Sequence, residues 1–150
     1  IKTWDCLEDS YGKIWSATDA GLYCIVNPKF NIPYKHDQSR IYASPCRCLL
    51  IHKDQLYVGS IRGLARNTPF GPEDINMPNG EALGHVYSLH ESPDNTLLIA
   101  TLGRGLWELD GDELSQITTG SLSSTDNVYC LTNGPAGEIY IGTDNKIRLL

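Results

Sequence analysis

The sequence predicts an all-β fold, a β-propeller of four-stranded antiparallel blades, and three observations lead to it. One segment recurs four times at a spacing of about 42 residues. Within each copy, apolar positions alternate with period two and are rich in Tyr, Trp, Ile and Val, which is typical of strands. Gly, Asn and Pro recur between these runs, as expected for tight turns. A period of 40–45 residues combined with strand alternation indicates propeller blades and not a helical array.

The repeat keeps its register along the whole chain. A Thr or Ser closes the second predicted strand of every copy, and these residues, Thr18, Ser60, Thr101 and Thr143, are 42, 41 and 42 positions apart. The copies span approximately residues 3–44, 45–84, 85–126 and 127–150, the last being incomplete. The chain therefore supplies about three and a half blades, whereas propellers close with 4–8. An open arc leaves unpaired strand edges, so we expect the remaining blades to come from the same longer protein or from a second copy of the chain.

The first two strands of each copy are predicted to form a hairpin. Its turn falls at Gly12-Lys13, Asn95-Thr96 and Gly137-Glu138, where Gly and Asn tolerate the positive φ that such turns require. In the second copy this turn is one residue shorter. A very small residue precedes each closing hydroxyl and allows close approach of a neighbouring strand or sheet. These residues are Ala17, Gly59, Ala100 and Gly142.

The third and fourth strands are predicted from the spacers. The third strand should open at Gly21-Leu22, Gly63-Leu64 and Gly105-Leu106, whereas the fourth copy has Lys146-Ile147 at this point. A weaker fourth strand is predicted around Ile41-Tyr42, Ile75-Asn76-Met77 and Leu114-Ser115-Gln116-Ile117. The turns before it are predicted at residues 27–30, 67–70 and 110–112.

Composition argues against several classes of protein. A formal charge of −6 argues against nucleic-acid binding, which needs a basic face. No window is apolar for 18 residues, so no membrane-spanning helix is predicted. The chain has no Met start or signal-peptide pattern, so it is mature, excised from something longer, or cytosolic. The five cysteines lack disulfide-framework spacing. We expect free thiols, with Cys6, Cys48 and Cys130 lying between blades.

The sequence predicts neither catalysis nor a cofactor. It lacks H-E-x-x-H, G-x-S-x-G, the P-loop and the Rossmann glycine pattern. The histidines show no metal-ligand spacing, and Cys46-Arg47-Cys48 with His52 has no second pair of ligands. Glu8, Asp9 and Glu91 could form a carboxylate pair of the kind used in glycoside hydrolysis. The repeat explains these carboxylates better, as acceptors in the first turn.

The aligned copies resemble the two-component regulator propeller repeat. The closest copy runs from Trp4 to Leu22 and has Leu7-Glu8-Asp9-Ser10, Gly12, Trp15, Thr18 and Gly21-Leu22 in place. The resemblance covers essentially the whole chain. It implies the sensor region of a hybrid two-component system, located in the periplasm or outside the cell, and it implies glycan sensing. Such sensors carry more repeats, a β-sandwich, a membrane span and a kinase.

Candidate binding residues follow from their positions in the blades. In similar propellers the first strand is innermost, and its start opens on the same face as the loop between the second and third strands. These positions combine aromatic residues with cations on an acidic chain: Trp4, Arg47, Arg62, His85, Tyr87, Arg104, Tyr129 and Lys146. Aromatic faces stack on sugar rings and Arg binds carboxylates bidentately. We expect Arg62, Arg104 and Lys146 to lie near Trp4, Tyr87 and Tyr129.

These observations predict a non-catalytic, ligand-sensing propeller segment that binds a glycan or oligosaccharide, including acidic ones. The alternative is a structural or protein-interaction propeller that uses its blade edges and loops as a scaffold. A propeller lyase or hydrolase is a third possibility, because propellers also host such enzymes.

Overall fold

The computed structural model describes residues 1–27, 30–33, 42, 44–119 and 121–150. Its strands form four sheets, which we call blades 1 to 4. Blade 1 consists of β1 (Thr3–Glu8), β2 (Ile14–Thr18), β3 (Gly21–Asn27) and β4 (Phe30–Pro33). Blade 2 consists of β5 (Cys46–His52), β6 (Gln55–Ser60), β7 (Leu64–Thr68) and β8 (Gly71–Ile75). Blade 3 consists of β9 (Val86–Glu91), β10 (Leu97–Thr101), β11 (Leu106–Asp110) and β12 (Glu113–Ile117), and blade 4 of β13 (Val128–Asn133), β14 (Ile139–Thr143) and β15 (Ile147–Leu149).

Every blade is a meander in which each strand pairs antiparallel with the next one along the chain. The first strands of successive blades contact one another, β1 with β5, β5 with β9 and β9 with β13. No α-helix occurs in the part of the chain that the structure describes. The predicted fold class is therefore confirmed: the chain is an arc of propeller blades, with three strands in the fourth.

The turn chemistry follows the prediction closely. Gly12, Asn95 and Gly137 have φ values of 76°, 63° and 85° in the first turn of blades 1, 3 and 4. The shorter turn of blade 2 is Lys53-Asp54, and both residues have positive φ, as a two-residue hairpin with the right-handed strand twist requires. The closing hydroxyls also bond to backbone as expected. Thr101 Oγ1, for example, donates to the Gly105 carbonyl at 2.7 Å.

The fourth strand was predicted less well. In blade 3, β12 includes all of the predicted residues 114–117. In blade 2, β8 overlaps the prediction only at Ile75, because the chain turns back at Pro69-Phe70 and pairs at once. In blade 1 the prediction at Ile41-Tyr42 is wrong for Tyr42. The strand is β4, directly after β3, and the Tyr42 side chain is buried between blades 1 and 2. Ile41 lies outside the described residues.

The core consists of three apolar clusters, one between each pair of successive blades. The middle cluster contains Leu83, Val86, Leu97 and Ile99, all fully buried. Burial of each such side chain contributes about 1.5–3 kcal/mol to folding, so the packing between blades stabilises the arc. The small residues of β2, β6 and β10 permit this packing. A methyl group on Gly59 would lie 2.6 Å from Cγ1 of Val86 in the next blade.

All five cysteines are free thiols. Cys48 lies between blades 2 and 3 as predicted, in the middle cluster. Cys6 and Cys130 are exposed and not between blades. Cys6 is in β1 and Cys130 in β13, the inner strands of the first and last blades of the arc. Among the described residues, no helix has the length and apolar character needed to cross a membrane.

Candidate functional site

Each first strand begins with a β-bulge, and the bulges place four of the predicted residues in one row. In blade 2, Cys46 pairs with Ser60 and Cys48 with Gly59, so that Arg47 is the extra residue. The same shift of register occurs in the other three blades. The extra residues are Trp4, Arg47, Tyr87 and Tyr129. A bulge redirects a side chain out of the regular alternation, which explains how four residues at equivalent positions reach one another. We call these four residues the bulge row.

Arg47 is the centre of the bulge row. Its guanidinium carbon lies 4.2 Å from the centroid of the Trp4 ring and 4.3 Å from that of Tyr87. Both distances lie within the range of cation–π attraction. Nη2 of Arg47 also donates a hydrogen bond to the Tyr87 hydroxyl at 2.8 Å. The cation is therefore held between side chains from blades 1 and 3.

The row continues to blade 4 through aromatic contacts. The rings of Tyr87 and Tyr129 meet edge to face with centroids 5.4 Å apart. The Tyr129 hydroxyl donates to Oδ1 of Asp144 at 2.5 Å, and this bond raises the pKa of Tyr129. The His85 ring lies 5.5 Å from the Tyr87 ring. Five of the eight predicted residues thus form one continuous group.

A cavity of about 330 Å³ opens beside the row. Trp4, Arg47, His85 and Tyr87 line it together with Asp19 and Ile61. Trp4 and Ile61 are each 48% exposed, so the apolar lining is accessible from solvent. The Asp19 side chain is held in position, since its Oδ1 accepts a hydrogen bond from the Lys2 amide at 2.9 Å. The cavity therefore combines aromatic and aliphatic surface with one cation, one carboxylate and one imidazole.

His85 has an unusual environment within this group. Its Nε2 atom is buried without a hydrogen-bond partner. Burial, and then the positive charge of Arg47, lower the pKa of His85 from its ordinary value of 6.5. The imidazole is therefore neutral at pH 7, with one ring nitrogen that donates and one that accepts.

The three loop cations are not part of the bulge row, and this differs from the expected arrangement. Their loops do open on the face of the strand starts, since the Leu102 amide donates to the His85 carbonyl at 3.0 Å. Arg104, however, turns to the segment after β8, where Nη1 lies 3.3 Å from Oε2 of Glu81. Arg62 and Lys146 are exposed, and neither side chain forms an ion pair in the described part of the chain.

The loop residues that do border the row come one or two positions earlier. They are the first residues after each closing hydroxyl: Asp19 and Ile61 at the cavity, and Asp144 at Tyr129. Sequence reasoning missed them because it looked for cations. The sequence does contain a pattern that indicates them, Thr18-Asp19 and its counterpart Thr143-Asp144. An Asp directly after the closing hydroxyl lies next to the start of the first strand of the same blade.

On the opposite face, where the first and third turns of each blade lie, polar groups are paired both within blades and between them. Nδ1 of buried His52 lies 2.7 Å from Oε2 of Glu91. Arg66 forms ion pairs with Glu73 at 2.8 Å and with Asp112 of blade 3 at 3.0 Å. Of the carboxylates considered for hydrolysis, Asp9 is a turn acceptor, as predicted. It accepts hydrogen bonds from the amides of residues 11 and 13 and from Trp15 Nε1. Glu91 instead joins two blades.

The described residues contain no cluster of three or more His, Cys, Asp or Glu that could hold a metal ion. The side chains in and beside the bulge row can stack on a ring and can bond polar groups through Arg47, His85 and Asp19.

Solved structures share this fold. The chain is 24% identical to the extracellular domain of the hybrid two-component system protein BT3049 from B. thetaiotaomicron, with a TM-score of 0.72 over 99% of this chain and 20% of that one. For the corresponding domain of BT4673 the values are 20% identity, a TM-score of 0.74, and coverage of 99% and 21%. Virginiamycin B lyase from Staphylococcus aureus is 12% identical, with a TM-score of 0.69 over 99% of this chain and 55% of the lyase.

These likenesses show the fold alone, because each identity is below 25%. The chain spans about a fifth of the length of the two sensor domains. No protein-family model matches the chain, and no curated protein is similar to it in sequence.

Proposed function

We propose that this chain is a non-catalytic sensing module that binds an oligosaccharide at the bulge row. The observation that carries the proposal is the continuous group from Trp4 to Tyr129, in which aromatic rings flank an arginine beside an accessible cavity. Sugar rings present C–H faces that stack on aromatic side chains, and hydroxyl groups that bond to Arg, Asp and His. The row offers both kinds of contact.

The likeness to extracellular domains of two-component systems supports the sensing role. We propose on this basis that the chain belongs to the sensor region of such a system, in the periplasm or outside the cell. Further blades, from the same longer protein or from a second copy, would complete the ring, because the outer strand of blade 4 exposes Ile147 (78%) and Leu149 (56%).

The proposal is tested by titrating the protein with oligosaccharides and following tryptophan fluorescence and backbone amide shifts. Trp4→Ala should weaken binding by about 0.5–1.5 kcal/mol, the usual contribution of an aromatic contact. Tyr11→Ala is the control, because Tyr11 is an aromatic residue of the same blade, 87% exposed, in the turn on the opposite face. Equal losses in both variants, or amide shifts confined to residues away from the row, would contradict the proposal.

A second candidate function is a protein-interaction scaffold. It is favoured by the apolar residues exposed on blade 4, namely Tyr140, Ile147 and Leu149, since a contiguous exposed apolar patch marks an interaction site. Self-association through these residues would equally close a ring, so it does not separate the two functions. Failure of every oligosaccharide to bind a ring whose closure has been verified would favour the scaffold over sugar recognition.

A further inference from the structure

We propose that the cavity beside Arg47 takes the carboxylate of an acidic sugar, such as a uronic acid residue, with Arg47 as the group that binds the charge. This inference rests on the proposed oligosaccharide recognition and specifies its substrate class. It follows from how the arginines of the molecule are neutralised, from the geometry of Arg47 and from the other polar groups of the cavity.

Arg47 is the one half-buried arginine of the described residues that has no carboxylate partner. Arg66 pairs with Glu73 and Asp112, Arg104 with Glu81, and Arg148 with Asp126. Removing a charge from water without a counter-charge is unfavourable, and the two aromatic rings compensate only in part. A ligand carboxylate would supply the missing counter-charge.

The geometry of Arg47 suits that ligand. The rings of Trp4 and Tyr87 lie over the guanidinium carbon and fix its position. One hydrogen bond, from Nη2 to the Tyr87 hydroxyl, is formed within the protein. Nε and Nη1 form none in the part of the chain that the structure describes. The bond to Tyr87 uses one N–H of Nη2, so one edge of the guanidinium, either Nη1 with Nη2 or Nε with Nη2, keeps both of its donors. A guanidinium held by stacking can bind a carboxylate bidentately through that edge.

The remaining polar groups favour a sugar acid over a simple anion. His85 lines the cavity and its buried Nε2 has no partner, so a small shift of the ring on binding would let this nitrogen bond a ligand hydroxyl. Asp19 adds a carboxylate to the cavity wall. This group repels an anion but accepts hydrogen bonds from ring hydroxyls. A ligand that satisfies all three side chains has one carboxylate and several hydroxyls.

Size and lining agree with a single ring. A volume of about 330 Å³ lies at the lower end of the range for small-molecule sites, about 300–1,000 Å³. Ile61, with 48% of its surface exposed, and Trp4 provide apolar walls for the ring face. A peptide of acidic residues alone has the carboxylate but no ring to cover these walls.

The test uses a matched pair of ligands, digalacturonate and its methyl ester, which has the same rings without the charge. Calorimetry should show that the unaltered protein binds the acid more tightly than the ester. Arg47→Met should weaken binding of the acid by about 10- to 100-fold, as expected for loss of a charge-assisted hydrogen bond. It should weaken binding of the ester several-fold less, because the ester loses only a neutral hydrogen bond. Arg62→Met is the control, since Arg62 is an exposed cation in a loop of the same face. It should change neither.

The outcomes separate this inference from the proposed function. If acid and ester bind equally, and Trp4→Ala weakens both while Arg47→Met weakens neither, oligosaccharide recognition stands and the carboxylate inference is overturned. If Arg62→Met is as damaging as Arg47→Met, general electrostatic attraction explains the preference and the inference is also wrong. A short polyglutamate that competes as well as digalacturonate overturns the assignment to sugars. If neither neutral nor acidic sugars bind the unaltered protein, and its amide spectra show that it is folded, both proposals fail.

Discussion

Two arginines of blade 2 lie on opposite faces of the molecule and are used in different ways. Arg66, in β7, bonds Glu73 of its own blade and Asp112 of blade 3, and the bond to Glu73 contributes most to raising the pKa of its guanidinium. Arg47, in β5, reaches side chains of blades 1 and 3 but meets aromatic rings and a hydroxyl. The charge of Arg66 is thus neutralised within the protein, whereas Arg47 is left as a cation for something else to neutralise.

The difference extends to the histidines. On the face of Arg66, His52 pairs with Glu91 across the joint between blades 2 and 3, and His90 bonds Asn133 across the next joint. On the face of Arg47, Nε2 of His85 has no partner. Buried polar groups in native proteins are hydrogen-bonded as a rule. The unpaired nitrogen of His85 therefore marks a place where a ligand is expected, whereas the pairs on the other face hold the blades together.

The largest effect on stability is expected at the packing between blades 2 and 3, which lies between the two faces. Gly59→Ala would place a methyl group against Cys48 and 2.6 Å from Cγ1 of Val86, both buried in the middle cluster. We expect a loss of about 1–3 kcal/mol in unfolding free energy, typical of overpacking. Urea denaturation followed by circular dichroism measures it.

Gly142→Ala is the matched control at the equivalent position of blade 4. Its methyl group would meet Cys130, whose side chain is exposed and free to rotate. The cost should be about 0.5 kcal/mol or less, as for most surface substitutions. Equal costs for the two variants would show that close packing between blades is not what demands a glycine at residue 59.

A second prediction compares the two arginines directly. Arg66→Met should lower the unfolding free energy by about 1 kcal/mol, because it removes two ion pairs whose carboxylates are more than half exposed and therefore screened. Arg47→Met should change it by less than about 0.5 kcal/mol, since the methionine keeps the apolar contact with the rings while the unpaired charge disappears. Added salt should reduce the difference by screening the ion pairs. A larger loss in Arg47→Met would mean that Arg47 is a structural link and not a binding group.

The repeat predicted the fold because each recurring residue type has a local structural role. Glycine or asparagine at the first turn, a small residue before the closing hydroxyl, and the hydroxyl itself all act within one hairpin, and the structure places them as expected. The fourth strand of blade 1 was misplaced because its position depends on where the chain turns back after β3. The recurring positions of the repeat do not indicate where that turn lies.

The candidate site was predictable in part for the same reason. The register of the repeat predicted which residues begin the first strands, and these residues form the bulge row. The contacts of Arg104 could not be predicted, because Glu81 belongs to the spacer between blades 2 and 3, whose sequence is not repeated in the other copies. Nor could the sequence show that Arg47 lacks a carboxylate, since that depends on which acidic residues three-dimensional packing brings near it.

The smallest effect expected is the pH dependence of His85. Burial and the charge of Arg47 lower its pKa below 6.5 in the folded state, so the unfolded chain binds a proton more readily. Stability from the neutral imidazole is complete above pH 6.5 and is lost as the pH falls through the folded-state pKa. His85→Gln should therefore lose less stability than the unaltered protein between pH 7.5 and 5.5. Thermal unfolding at several pH values measures this, with His90→Gln, on the opposite face, as the control for loss of an imidazole. A steeper decline in His85→Gln would mean that the ring is stabilised in its protonated form, which would require an acidic neighbour of His85 and would remove the reason to assign its buried nitrogen to a ligand.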